Sequence, residues 1–185
     1  MKNNQALKTL FLYNSIFVFA NNLLGPLYTV YIQKFDINVF SISSVWATFI
    51  FFTTVFTFLL AKIGDRIKEK EYFLMVGFLI RALGWLLYLF AHNILFIIII
   101  QIVLALGEAF GSPAFDAIFS EHVDKNFRMS EYSNWRIIYN LSMVLATIIG
   151  GFVVYKFGFT PLFLSVSGIS LFCFFGVLTK PRDLL

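Results

Sequence analysis

The stretch LLAKIGDRIKEKEY, residues 59–72, places seven charged side chains between Lys62 and Tyr72, with long runs nearly free of charge on either side. A soluble chain spreads its charge over its surface, whereas this one gathers it in a short turn. The flanking runs give the reason. The 185-residue chain is 59% hydrophobic and only 13% charged, about half the charged share of an ordinary globular domain. Twenty-five residues are phenylalanine. A soluble fold of this size would expose large apolar patches, so the bilayer is the solvent that suits it.

Outward from the turn, a membrane span takes about 20 apolar residues. Six segments qualify, at roughly 9–33, 42–62, 72–91, 94–119, 136–156 and 161–179. The breaks between them carry turn or charge signals: Lys34–Asp36, the quoted turn, His92-Asn93, Glu121–Arg128 and Lys156–Pro161. The first apolar run is too long for a cleaved signal peptide, contains Asn14, Asn21 and Asn22, and lacks a small-residue cleavage site. The expected fold is all-α: a polytopic membrane protein with six transmembrane helices in one domain, 1–185.

The basic residues set the orientation. Lys2, Lys8, Lys62, Arg66, Lys68, Lys70, Lys125, Arg128, Arg136, Lys180 and Arg182 fall on one side of such a domain, and only Lys34 and Lys156 on the other. This bias predicts both termini in the cytoplasm, and the expected location is the cell membrane, as a multi-pass protein. The net charge of +4 then reads as topology, since a nucleic-acid partner would need a contiguous basic face. Cys173 is the single cysteine, so no intrachain disulfide forms. His92 and His122 stand far apart, and no metal cluster or cofactor site is expected. An enzyme is not expected either, because Gly111-Ser112 has no histidine at membrane depth to act as its base.

The chain repeats weakly at an offset of 87. Gly25-Pro26-Leu27-Tyr28 meets Ser112-Pro113-Ala114-Phe115, Phe40 meets Phe127, Ser43 meets Ser130, and Gly64 meets Gly151. Units of roughly 9–91 and 94–179 would hold three spans each, so the second would enter the membrane inverted, as in the nested repeats of transporters.

Two ionisable residues fall inside spans: Arg81 near the middle of the third and Glu108 near the middle of the fourth. Each costs about 2.5–3.5 kcal/mol at the bilayer centre on insertion scales, which marks it as a functional candidate. At similar depth the two can pair. A structural ion pair is one reading. The other makes Glu108 a proton or cation carrier, or makes either residue a charge-reading substrate contact. Asp116, two turns on, is either a gate residue or a solvated helix end. In span 1, Asn14, Asn21 and Tyr28 recur every seven residues and share a helical face. Lipid cannot satisfy amides, so this stripe and Asn22 face either a wet cavity or neighbouring helices. Pro26 and Pro113 are expected to kink spans 1 and 4, as rocking points or as fixed bends.

Six spans with a Gly-Asp-Arg turn after the second resemble the major facilitator superfamily. That family's loop signature, G-x-L-a-D-r-x-G-r-k, aligns with Ala61 to Lys70. Asp65, Arg66 and Lys70 match and Gly64 fills a small-residue position, while Ala61 and Lys68 replace the signature glycines. Gly107, Gly111, Pro113, Ala114, Glu121 and Arg128 are similar to the family's span-4 exit, and Gly150-Gly151 to the end of an antiporter signature. The resemblance implies one six-helix half of a transporter that works by alternating access. It implies that Asp65 latches two halves together, where the plainer reading is a positive-inside anchor. It also implies that spans 1 and 4 line the cavity, making Asn21, Asn22, Tyr28 and Glu108 candidate contacts for a small-molecule substrate. The family normally has twelve spans. A parallel homodimer of this unit would supply them, as would a second half on another chain. The alternative is a truncated or accessory six-helix subunit without transport of its own.

Overall fold

The computed structural model describes residues 5–35, 38–67 and 69–179. Lys2, Asp36, Lys68, Lys180 and Arg182, used in the loop and charge reading, lie outside the described residues, as does the side chain of Lys8. The helices are α1 (Gln5–Asn22), α2 (Leu27–Gln33), α3 (Val39–Gly64), α4 (Glu71–Leu87), α5 (Ile94–His122), α6 (Arg128–Phe157) and α7 (Phe159–Leu178), with a 3-10 turn at Tyr88–Phe90 extending α4. No strand occurs among the described residues. The helices make six segments long and apolar enough to cross a membrane, because α1 and α2 together form the first, Phe11–Gln33.

Several helices outrun the apolar runs that betray them. Asn38 and Asn93 cap α3 and α5, each side chain accepting a backbone N–H at 2.8 Å, from Ser41 and Phe96. α6 starts at Arg128, well before the expected 136. Its polar first turns still form helix because buried Glu131 anchors them, its carboxylate accepting the Asp124 N–H at 3.0 Å. Hydropathy marks the embedded part of a helix and misses its wet end. Arg128 and Arg136, counted above with the basic residues of one side, therefore both lie inside α6.

Span 1 is broken rather than kinked. α1 stops at Asn22, Gly25 takes φ +33°, and α2 restarts after Pro26. A positive φ suits glycine, and proline has no N–H to continue the ladder. Pro113 has no such effect: α5 runs helical through it from Ile94 to His122. The 87-residue offset is nearly kept by helix starts, Val39 and Glu71 lying 89 and 88 positions before Arg128 and Phe159. The break itself has no counterpart in α5.

Packing centres on α4, which lies against both α5 and α7, while α1 packs on α6 and α7, and α3 on α5. Glycines let α4 and α5 touch. A Cβ on Gly77 would stand 2.7 Å from the Gly111 Cα, so the two backbones meet there. Toward the end with Lys34 and Lys156, called the far end below, Tyr88 stacks on Phe163 at 4.9 Å and Tyr31 meets both edge-on. Toward the opposite, basic end, Phe11, Phe78, Phe115 and Phe119 form a second core. α3 buries only Val45, and α6 only Glu131, Ala146 and Gly150. These two helices flank the bundle with most of their surface uncovered.

At the basic end Lys70 pairs with Glu121, joining the start of α4 to the end of α5. Glu121 is 56% exposed, so solvent screens the pair. Lys70→Gln is expected to cost less than about 1 kcal/mol, read as a small shift in thermal midpoint in detergent.

Candidate functional site

The site grows from Arg81, on α4. Gly107 on the facing α5 clears a path for its side chain: a Cβ there would fall 2.6 Å from the Arg81 Cγ. The guanidinium lies 4.7 Å from the centre of the Phe17 ring, and Nη2 donates to Oε2 of Glu108. Ser112, one turn further along α5, donates its hydroxyl to the other carboxylate oxygen, Oε1. Both oxygens of Glu108 are thus engaged. The structure brings together the two charges that the sequence places at mid-span. Removing one partner of a buried pair leaves the other uncompensated, which is costly. The exposures differ in a way that matters: the Arg81 side chain is 6% exposed and that of Glu108 29%. The acid faces open space, with the arginine set behind it.

That space is two chambers sharing Asn21, Asn22, Arg81, Glu108 and Tyr139. One, of about 250 Å³, extends toward the basic end past Asn14, Ser112, Asp116, Trp135 and Arg136. It is polar, and Asp116 stands exposed on its wall. The other, of about 310 Å³, extends toward the far end among Tyr28, Trp46, Phe49, Trp85, Tyr88 and Gln101. Asn22 also donates to the Val18 carbonyl at 2.8 Å. Tyr28 reaches its chamber by a route the sequence did not indicate. It sits beyond the break, on α2, so the seven-residue stripe does not carry it there. Pro26 stands at the turn itself, exposed, and Pro113 is exposed on α5.

Gln101 is a residue the sequence reading missed. It precedes Glu108 by seven positions and so shares its face of α5. Its side-chain nitrogen donates to the Tyr28 hydroxyl and, at 3.1 Å, to the Tyr88 hydroxyl. Tyr31 adds a hydroxyl bond to the Tyr88 carbonyl at 3.1 Å. Together these bonds tie the short α2 to α5 and to the end of α4. The available signal was a lone amide in the run ILFIIIIQIVLALG at heptad distance from an acid. Gln101→Leu keeps the volume and removes the bonds. Amide exchange in residues 27–33 is then expected to quicken about tenfold, the effect of losing about 1.4 kcal/mol of hydrogen bonding. Unchanged exchange there would remove this role. Trp85 lines the same chamber, and its buried indole N–H has no hydrogen-bond partner among the described residues.

The charged turn is a separate place. Gly64 closes α3, and Asp65 is its C-cap. Asp65 and Arg66 are exposed, and they form no ion pair with each other or with another described residue. Gly64, Asp65 and Lys70 border an apolar groove of about 170 Å³ whose walls include Phe73, Phe110 and Pro113. Neither chamber includes any described residue of this turn.

Six helical spans around a cavity that holds a charged pair define a polytopic membrane protein. The chain matches the Major Facilitator Superfamily over residues 10–184, and it belongs to that family of membrane transporters. A search of curated proteins found no match.

Proposed function

We propose that the chain is one half of a secondary transporter that moves a small solute by alternating access, two six-helix units rocking about a mid-membrane site. The observation that carries this reading is the Arg81–Glu108 pair, buried on its basic side and open to the cavity on its acidic side. A purely structural pair has no need of a carboxylate open to a cavity. This one presents its acid where a solute or proton can reach it, and in this reading Glu108 is the coupling group. Both neighbours of the cavity, α3 through Trp46 and Phe49 and α6 through Trp135 and Tyr139, also carry the uncovered flanks of the bundle. A second copy docked in parallel along those flanks would close the cavity and supply twelve spans, with a self-complementary contact. We assign the chain to the cell membrane, where the charge bias favours both termini in the cytoplasm. Exposed Asp65, with no ion-pair partner among the described residues, is the residue we assign to latching the halves at that face.

The test is solute flux in proteoliposomes under an imposed pH gradient. Glu108→Gln is expected to abolish the pH-driven component. Flux with unchanged pH dependence would return Glu108 to a structural role. Asp65→Asn is expected to slow turnover about tenfold, equivalent to about 1.4 kcal/mol, with insertion unaltered. Wild-type rates would remove the latch.

A further inference from the structure

We propose that the aromatic chamber takes a small organic cation, its ammonium group against Glu108 and its organic body among the rings. This deepens the transporter reading above and rests on it. Six aromatic residues line the chamber, Tyr139 among them at its boundary with the other one. Tyr28, Trp46 and Phe49 form a continuous group, with centroids 6.1 Å apart for Tyr28–Trp46 and 5.5 Å for Trp46–Phe49. Trp85 and Tyr88 stack at 5.4 Å as a second group, from α4 and its 3-10 extension. Ring faces carry the negative part of the aromatic quadrupole, and several rings around one space attract a desolvated cation, ammonium ions above all.

The charged groups point the same way. Among the described residues only Arg81 and Glu108 are charged in this chamber, Asp116 and Arg136 belonging to the other one. The two charges are not equally accessible. Arg81 is nearly buried against Phe17 and the Gly107 and Gly111 backbone, while more than a quarter of the Glu108 side-chain surface remains open. An entering anion would meet the carboxylate, whereas a cation meets carboxylate and ring faces together. A neutral solute would use the rings and leave the acid idle. The volume of about 310 Å³ is at the lower end for ligand pockets. It suits one ring and its ammonium group rather than a drug-sized molecule.

The test is equilibrium binding to the full chain in lipid nanodiscs, with empty nanodiscs as the blank. The probes are phenyltrimethylammonium, its neutral isostere tert-butylbenzene, and benzenesulfonate. The ammonium is expected to bind at least about tenfold more tightly than either of the others. Trp46→Leu, at a half-exposed wall position, should weaken it several-fold, and Glu108→Gln should erase the preference over the isostere. The wild-type comparison decides the matter even if Glu108→Gln fails to fold. Equal binding of ammonium and isostere, tighter binding of the sulfonate, or no ammonium binding to folded protein would each overturn the proposal. Ammonium binding without solute flux would keep the site and remove the transporter reading. Flux of a solute with which the ammonium does not compete would keep transport and remove the site.

Discussion

Arg81→Leu is expected to destabilise the protein by about 3–5 kcal/mol, and the double variant Arg81→Leu/Glu108→Leu to recover most of that loss. The single change strips Glu108 of its counter-charge and leaves only the Ser112 hydroxyl on the carboxylate. Because Glu108 is partly open to the cavity, solvent absorbs part of the penalty and the lower end of the range applies. The double change removes both charges together, and because leucine is shorter than Arg81 the space it leaves keeps the recovery from being complete. Thermal midpoints of the purified variants read the effect, and the difference between the sum of the single changes and the double gives the coupling. Additive losses would mean that the two residues do not depend on each other. A double variant that folds and no longer carries flux would separate the pair's contribution to stability from its contribution to transport.

Gly150→Ala is expected to be the most damaging single-methyl change in the chain, and Gly151→Ala next to it nearly silent. A Cβ at Gly150 would overlap the backbone carbonyl of Leu23, at the break between α1 and α2, whereas a Cβ at Gly151 meets nothing within 4 Å. Backbone cannot turn aside as a flexible side chain can. α6 must therefore move away from the break or the break must reform, at a cost of about 3 kcal/mol. The same region holds Gly25, whose φ of +33° other residues rarely adopt and whose Cβ would lie 3.6 Å from the Thr147 hydroxyl. The break is held between its own tight turn at Gly25 and one stretch of α6. Thermal midpoint and the yield of folded protein measure the effect. Equal behaviour of the two alanine variants would show that α6 does not press on the break. The comparison also separates two glycines that the sequence presents as one motif.

The six spans were legible because a bilayer imposes length and apolarity on a sequence, and runs such as ILFIIIIQIVLALG leave little choice. The pairing of Arg81 with Glu108 was legible as well, since two opposite charges at the same depth have few other partners. The ends of helices were not. Arg128 to Trp135 is too polar for a hydropathy reading, and Glu131, which anchors that turn, becomes visible as an anchor only once the chain folds back on Asp124. Gly25-Pro26 announced a disturbance in span 1, but a kink and a full break share that dipeptide. The difference lies in a backbone angle and in the contact with Gly150. Gln101 escaped notice because one amide among aliphatics reads as tolerated polarity. Its value comes from Tyr28 and Tyr88, which lie 73 and 13 positions away in the chain. The Gly64-Asp65-Arg66 turn resembled a family signature, yet its acid finds no ion-pair partner among the described residues, in keeping with a role that needs a second unit.

That second unit is the central claim, and the mass of the assembly tests it most directly. The chain weighs 21.3 kDa. Native mass spectrometry of the full-length protein, released from lipid nanodiscs and from several mild detergents, is expected to give twice that mass. A species of that mass would carry twelve spans, two latching Asp65 residues and a closed cavity. A strict monomer in every lipid and detergent would contradict the homodimer account.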